Sequence, residues 1–447
     1  MRYILTTFLL CLAGILPGWA QQGDPLTYSV SLQEAIEYAQ THQTSVQNAL
    51  IDEEIAKNDV KRIIGMGLPQ VSGNASFSNY VKIPTSLLPG EFFGQPGTQV
   101  PVQFGVKYQS TAGLELNQLL FDGTYLVGLQ ASKTYKELSN KNLRRTRIET
   151  AVAVSKAYYT ALVREEAVEL LDANIVRLKK SLSDTEAMFK NGFVESIDVD
   201  RLRVLHNNLE TERENVIKLL SLTVDLLKFQ MGMPIETPLA LKDKLSDLES
   251  FAKIAMVTDT TAYQSRIEYS LLQTQKRVNE YDLKRYKSLL LPSLSGFVNA
   301  SNNYQSNTFS PIFDVNYPVT IIGLRLTVPI ISGGQKLYQI RNARLQVERT
   351  QNDLVNLKNG INLEVSEAQT NYLNGVRSLE NQKRNMGLAD EVLRVSRIKY
   401  EQGVGSSLEV TTAETSLQES QNNYITALYE LLISKIDLDR ATGKIVY

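Results

Sequence analysis

The chain has 447 residues, above the usual size of one domain, and a formal net charge of −1. Near-neutrality excludes a general electrostatic pull toward nucleic acid or anionic membrane. The single cysteine, Cys11, and the single tryptophan, Trp19, both lie within residues 1–20, so disulfides, thiolate metal sites and cysteine nucleophiles are excluded beyond them.

Residues 1–20 have the pattern of a secretory signal: Arg2, an apolar run from Tyr3 to Ile15, and a small-x-small site at Gly18-Trp19-Ala20. No small residue precedes Cys11, so no lipid anchor is expected. Beyond residue 20 no apolar run reaches the roughly 18 residues of a membrane-spanning helix.

From Ser31 to about Ile64 the pattern is helical. Ser31 and Glu34 are spaced as a capping box, and Gly65, Gly67 and Pro69 end the helix. The period then changes from 3.6 to 2. Val71, Gly73, Ala75 and Phe77 alternate with Gln70, Ser72, Asn74 and Ser76, as in a strand with one apolar face. Pro84 to Pro101 is rich in Pro and Gly and is expected to be a loop. A second alternation follows, with Phe104, Val106, Tyr108, Ala112, Leu114 and Leu116 set against Lys107, Gln109, Thr111, Glu115 and Asn117. Asp122-Gly123 then turns the chain.

Leu129 to Asn191 contains neither Gly nor Pro. At 1.5 Å per residue such a helix reaches roughly 90 Å. Leu171, Ile175, Leu178 and Leu182 continue a three-and-four spacing like a coiled-coil seam, so the helix is expected in an elongated bundle. Gly192 breaks it, and a returning helix is predicted from Ser196 to Met231. Tyr158 and Tyr159 are expected to pack in the seam.

Residues 234–260 match nothing elsewhere in the chain and are expected to link two similar halves. A helix from about Thr261 stops at Leu291-Pro292, as Leu68-Pro69 stopped the first. Two strands follow, with the alternation blurred at Phe297. Gly333-Gly334 takes the place of Asp122-Gly123. A long helix runs from Lys336 to Tyr400, weakened by Gly360, Gly375 and Gly387, and a last helix ends near Thr442. The tip Phe189-x-x-Gly192-x-x-x-Ser196-x-Asp198-Val199 recurs as Tyr400-x-x-Gly403-x-x-x-Ser407-x-Glu409-Val410.

The predicted organisation is a signal peptide at 1–20, a first structural repeat at 21–233, a linker at 234–260 and a second repeat at 261–447. Strands are expected at about 69–83, 103–120, 292–305 and 318–330, and tips at about 190–196 and 401–407. Four strands cannot close a membrane barrel, because an open edge in lipid leaves backbone groups unpaired. Bacterial barrels begin at about eight strands, so a spanning barrel needs several chains.

The duplicated tips, the two Leu-Pro strand entries and the two strand-to-helix turns together resemble the TolC family of outer membrane efflux channels, over about Ser31 to Gly443. The resemblance implies a mainly α fold with a membrane β-barrel. Three chains would give a trimeric 12-stranded barrel with four strands per chain. A long periplasmic α-helical coiled-coil barrel would continue it, with an internal two-fold repeat. It also implies the outer membrane of a Gram-negative bacterium, extending into the periplasm. Its expected partners are a periplasmic membrane-fusion adaptor, an inner-membrane RND or ABC transporter, and outer membrane lipid.

By that resemblance Tyr400, Glu409 and Thr412 would constrict the periplasmic entrance. Thr412 stands where a second acid is usual, and Gly405 where the best-known member has a basic residue. The tips Phe189, Gly192, Phe193, Ser196, Tyr400, Gly403, Val404 and Ser407 would contact the adaptor. Asp122, Gly123, Gly333 and Gly334 would make the strand-to-helix turns.

No catalytic constellation, phosphate-binding loop or metal-ligand spacing occurs, so neither enzyme activity nor a cofactor is expected. His42 and His206, the only histidines, are expected at the surface. The rival to a channel is a periplasmic coiled-coil scaffold without a pore, which has no reason to carry four alternating strands. The last helix is rich in small uncharged polar residues, among them Thr411, Thr412, Thr415, Ser416, Asn422 and Asn423, as suits a water-filled wall.

Overall fold

The computed structural model describes residues 28–245 and 262–447. The expected signal at 1–20 and most of the expected linker lie outside the described residues. The elements run β1 (Tyr28–Val30), α1 (Leu32–His42), α2 (Thr44–Met66), β2 (Gln70–Asn79), β3 (Thr85–Pro89), β4 (Gln99–Gln103), β5 (Tyr108–Phe121), α3 (Gly123–Lys190) and α4 (Ser196–Met231). They continue with β6 (Leu239–Leu241), α5 (Ile267–Ser288), β7 (Ser293–Ser306), β8 (Tyr317–Thr327), α6 (Gln335–Glu401) and α7 (Ser407–Ala441). With the β3–β4 hairpin set aside, the order helix, strand, strand, long helix, returning helix that runs from α2 to α4 recurs after residue 266.

α3 and α6 have 68 and 67 residues, about 100 Å each at 1.5 Å per residue. Gly360, Gly375 and Gly387 do not interrupt α6. Such long helices are held by packing along their length rather than by intrinsic propensity. α3 pairs with α4 and α6 pairs with α7, so each half ends in an antiparallel hairpin.

The expected single helix over 31–64 is two helices. Gln43 sits between them in an extended conformation, and its amide nitrogen donates to the carbonyls of Phe229 and Gln230 at 3.3 Å each. The chain breaks there to cap the end of α4, a tertiary demand that leaves no Gly or Pro signal. The expected loop 84–101 contains the antiparallel hairpin β3–β4, with Leu87 opposite Pro101 and Pro89 opposite Gln99. A two-stranded ribbon has only edge strands, so prolines are tolerated in it. β5 begins at Tyr108 rather than about 103, after Gly105 turns at φ +125°.

The largest apolar core lies midway along the helices, where Ala151, Tyr158, Leu162, Leu227, Met231, Ile361, Ala427 and Leu428 join residues of α1. Tyr158 is fully buried, and its hydroxyl donates to the Val30 carbonyl at 3.1 Å. It thereby anchors the parallel pair β1–β6 to α3. The capping box of α1 forms as expected, with Ser31 N donating to Glu34 at 2.7 Å. The same carboxylate accepts from Lys242 Nζ at 2.8 Å. The Lys242 ammonium and the Ser31 donors hold the Glu34 carboxyl down at about 2.

A carboxyl whose folded pKa is lowered contributes stability above its unfolded value near 4.5 and loses it as pH falls toward 2. Glu34→Gln is therefore expected to lower the thermal midpoint slightly at neutral pH. Its difference from wild type should vanish at the acid end of that window in a series of melting curves. A constant difference at every pH would refute the assignment.

Candidate functional site

Strands β2, β5, β7 and β8 form one antiparallel sheet in the order β2-β5-β7-β8. Residues directly opposite across an antiparallel ladder point to the same face. The rows Val71–Leu116–Val298–Ile322 and Gly73–Leu114–Ala300–Thr320 therefore share one face. The intervening rows, Ser72–Glu115–Asn299–Ile321 and Asn74–Gly113–Ser301–Val319, point the other way. β2, β5 and β7 are thus in a register that collects apolar side chains on one side and mainly polar ones on the other, whereas β8 is apolar on the first side and carries Val319 and Ile321 on the second. Leu114, Ile322, Leu324 and Leu326 are all exposed on the apolar side.

Phe297, where the alternation blurs, lies on the polar side. It covers Gly323, at which a Cβ would come within 2.6 Å of the ring, and Arg325 stacks over it at 5.4 Å. At the end of the sheet remote from the helices, Phe77, Tyr108 and Phe309 cluster, with ring centroids 5.6–6.2 Å apart. At the other end Asp122 caps α3, accepting from Thr124 N at 2.7 Å and Tyr125 N at 2.9 Å. Gly123 is buried, with Leu291 Cδ1 3.0 Å from where its Cβ would sit. Gly333 and Gly334 turn into α6 with φ of 57° and 83°.

The two tips share one backbone geometry. In the first, Gly192 N donates to Phe189 O at 2.9 Å and Phe193 N to Met188 O at 3.0 Å. In the second, Gly403 N donates to Tyr400 O and Val404 N to Lys399 O, both at 3.0 Å. This is the double-bonded helix ending that needs a left-handed residue, and Gly192 and Gly403 supply φ of 79° and 75°. Phe189, Phe193, Ser196 and Val404 are exposed there, while Ser407 is buried and donates to Asp198 of the first tip.

Of the expected constriction residues, Glu409 and Thr412 are exposed near the start of α7, whereas Tyr400 is half-buried. Tyr400 packs on the cluster of Leu393, Val410, Ala413 and Leu417, and burial raises its phenol pKa. Tyr400 thus packs on Val410 and Ala413, the neighbours of the exposed Glu409 and Thr412. The hydroxyls of Thr411, Thr412 and Thr415 donate to carbonyls one turn back, which satisfies them within α7. His42 stacks on Tyr38 at the surface as expected, but His206 is largely buried, with Nδ1 3.7 Å from Glu210.

Sequence reasoning missed a second stripe on α3. Asn174, Ser181 and Thr185 are buried, with Arg177 partly so, beside the expected line of Leu171, Ile175, Leu178 and Leu182. Their three-and-four spacing was the available signal, hidden because polar residues are read as solvent-facing.

Among the described residues no helix is long and apolar enough to cross a membrane, and no group of acidic and histidine side chains could hold a metal. Residues 258–444 match the family model described as outer membrane efflux protein. That part of the chain is similar to outer membrane efflux proteins. The proteases secretion protein PrtF of Dickeya chrysanthemi is 21% identical over 75% of this chain and 72% of its own. The outer membrane efflux protein BepC of Brucella suis is 24% identical, with the same coverage. Among solved structures, CusC superposes with a TM-score of 0.76 at 16% identity, covering 93% of each chain. That likeness is one of fold, and at 93% coverage it spans both the sheet and the helical hairpins.

Proposed function

We propose that this chain is the outer membrane exit duct of a tripartite efflux or type I secretion system, a passive conduit that performs no bond chemistry. The observation that carries the proposal is the register of the four-stranded sheet, which gives one lipid-compatible and one water-compatible face. In lipid the unpaired edges of β2 and β8 would leave backbone groups unsatisfied. These edges run antiparallel to each other, since three antiparallel pairings separate them. The β8 edge of one copy can therefore pair with the β2 edge of the next, and three copies close a 12-stranded barrel with apolar side chains outward.

The protein resides in the outer membrane and extends into the periplasm. The hairpins α3–α4 and α6–α7 of three copies form the periplasmic helical barrel. In this reading residues 21–233 and 261–447 are the two repeats, 234–260 links them, and 1–20 is a signal. The exposed tip residues Phe189, Gly192, Phe193, Ser196, Gly403 and Val404 meet the periplasmic adaptor, which bridges to an inner-membrane RND or ABC transporter. Tyr400 and Ser407 contribute from beneath, by packing the second tip. Native mass in detergent tests the assembly: three chains are expected, and a monomer would contradict the closed barrel.

Glu409 and Thr412 face the three-fold axis at the entrance. A ring of Glu409 carboxylates favours cations and repels anions. Glu409→Gln is expected to lower the cation-to-anion permeability ratio in planar-bilayer reversal potentials, while an unchanged ratio would exclude Glu409 from the pore.

A further inference from the structure

On the exit-duct reading above, the polar side of the sheet is the inner wall of the barrel, and that wall is unevenly built. β2 offers Ser72, Asn74 and Ser76 to it, and β7 offers Asn299, Ser301 and Asn303. β8 departs from this pattern. Its inner side carries Tyr317, Val319 and Ile321, between 42% and 52% exposed, and then Gly323 under the Phe297 ring. Strand pairing does not require apolar side chains there, since β2 and β7 pair with serine and asparagine at the same depth. At a rise of about 3.4 Å per residue, Tyr317 to Gly323 makes an apolar strip about 20 Å long. An apolar strip left exposed on a water-facing wall marks a surface that contacts something else.

One charge stands at the foot of the strip. The four strands contain only two charged residues, Glu115 and Arg325, and both point to the inner side. Arg325 lies two residues beyond Gly323, toward the helices, exposed and with its guanidinium 5.4 Å from the centroid of the Phe297 ring. Among the described residues no carboxylate pairs with it. Glu115 is two strands away and two rows up, about 16 Å by strand spacing and rise. It accepts from Asn117 at 2.8 Å instead. A guanidinium stacked on a ring keeps its N–H edge free for an anion.

We propose that the inner face of β8, with Phe297 and Arg325 at its foot, is a binding track for amphipathic anions. The strip takes the aromatic or aliphatic body, and Arg325 takes the carboxylate, sulfonate or phosphate. The inference rests on the exit-duct reading and deepens it, because it names a class of cargo that the wall favours. Each copy holds a complete track within β7 and β8, so three copies present three. The apolar contact is spread along the strand and only one charge is fixed, so a solute is held weakly enough to move on. The Glu409 carboxylates stand beyond the 67 residues of α6, about 100 Å away, too far for a screened charge to act on the track.

The test reads energy transfer from a single tryptophan to dansylate, an aromatic sulfonate, with the uncharged dansylamide as second probe. Trp19→Phe removes the one native tryptophan, and Ser301→Trp places the donor on β7 opposite Val319. The full chain is used in detergent. Arg325→Gln is expected to weaken dansylate binding about tenfold and to leave dansylamide unchanged. Ile321→Ser is expected to weaken both probes about fivefold. Both side chains are exposed, so neither change disturbs the core. Dansylate affinity that is unchanged in Arg325→Gln would overturn the track. Equal loss of both probes in that variant would overturn it too, because packing rather than charge would be responsible. Ile321→Ser binding both probes like the unaltered strand would also overturn it, since the probes would then be entering the micelle. Bilayer recording of the same variants separates the two readings. The expected affinities in a protein without pores would leave the track standing and remove the duct, whereas a conducting protein with unaltered affinities would do the reverse.

Discussion

Leu114→Arg is expected to abolish assembly in the outer membrane, and Asn299→Arg to leave it intact. Both positions lie near the middle of their strands, on opposite faces of the same sheet. Leu114 stands in the row with Gly73, Ala300 and Thr320 on the apolar side, where it is 62% exposed in the single chain. An arginine on the lipid face near the bilayer midplane costs about 2–4 kcal/mol, and three copies per barrel multiply that cost. Asn299 stands beside Glu115 on the polar side, where an arginine stays hydrated and gains an acidic neighbour. Membrane fractionation with heat-resistant oligomer on gels measures both. Equal tolerance of the two substitutions would refute the assignment of faces.

Gly232→Ala should be far more damaging than Gly192→Ala, although both glycines end a helix in the left-handed region at φ of 74° and 79°. The backbone term is shared and amounts to about 1–2 kcal/mol for a residue with a Cβ. At Gly192 a Cβ would meet nothing within 4 Å. At Gly232 it would lie 2.6 Å from the His42 carbonyl oxygen and 2.8 Å from Gln43 Cα. Those are backbone atoms at the α1–α2 break, and they cannot turn aside. Relief requires moving Gln43 away from the carbonyls it caps. Gly192→Ala should therefore lower the unfolding free energy by about 1–2 kcal/mol. Gly232→Ala should exceed that by several kcal/mol and reduce the yield of folded protein. Chemical denaturation of both variants decides the matter, and equal losses would show that the contact relaxes cheaply.

Regular elements were legible where one period dominated. The alternation of β2 and the gap-free run through α3 predicted those elements, because a strand with one apolar face and a helix with one apolar stripe each impose a period, although β2 ends at Asn79 and α3 begins at Gly123. Gln43 was illegible because nothing local breaks the helix there; the end of α4 does. The β3–β4 hairpin was hidden by its prolines, which exclude a central strand but not an edge. Phe297 looked like a defect in alternation, and it is a cover for Gly323.

The tips were readable as turns, since only glycine suits their left-handed ends. What flanks them was less so. Tyr400 has the spacing of an entrance residue, and its half-buried ring also packs on the core of its own hairpin. The polar stripe Asn174–Arg177–Ser181–Thr185 lies on the face that meets α7. No periodicity of apolar residues can reveal a seam built from polar ones.

The central claim is that copies of this chain close into a membrane-spanning pore, and single-channel recording across a planar lipid bilayer with the detergent-purified protein tests it most directly. Discrete, reproducible conductance steps are predicted. A protein that stays in solution without detergent and leaves the bilayer silent would contradict the barrel, and with it the reading of the amphipathic sheet.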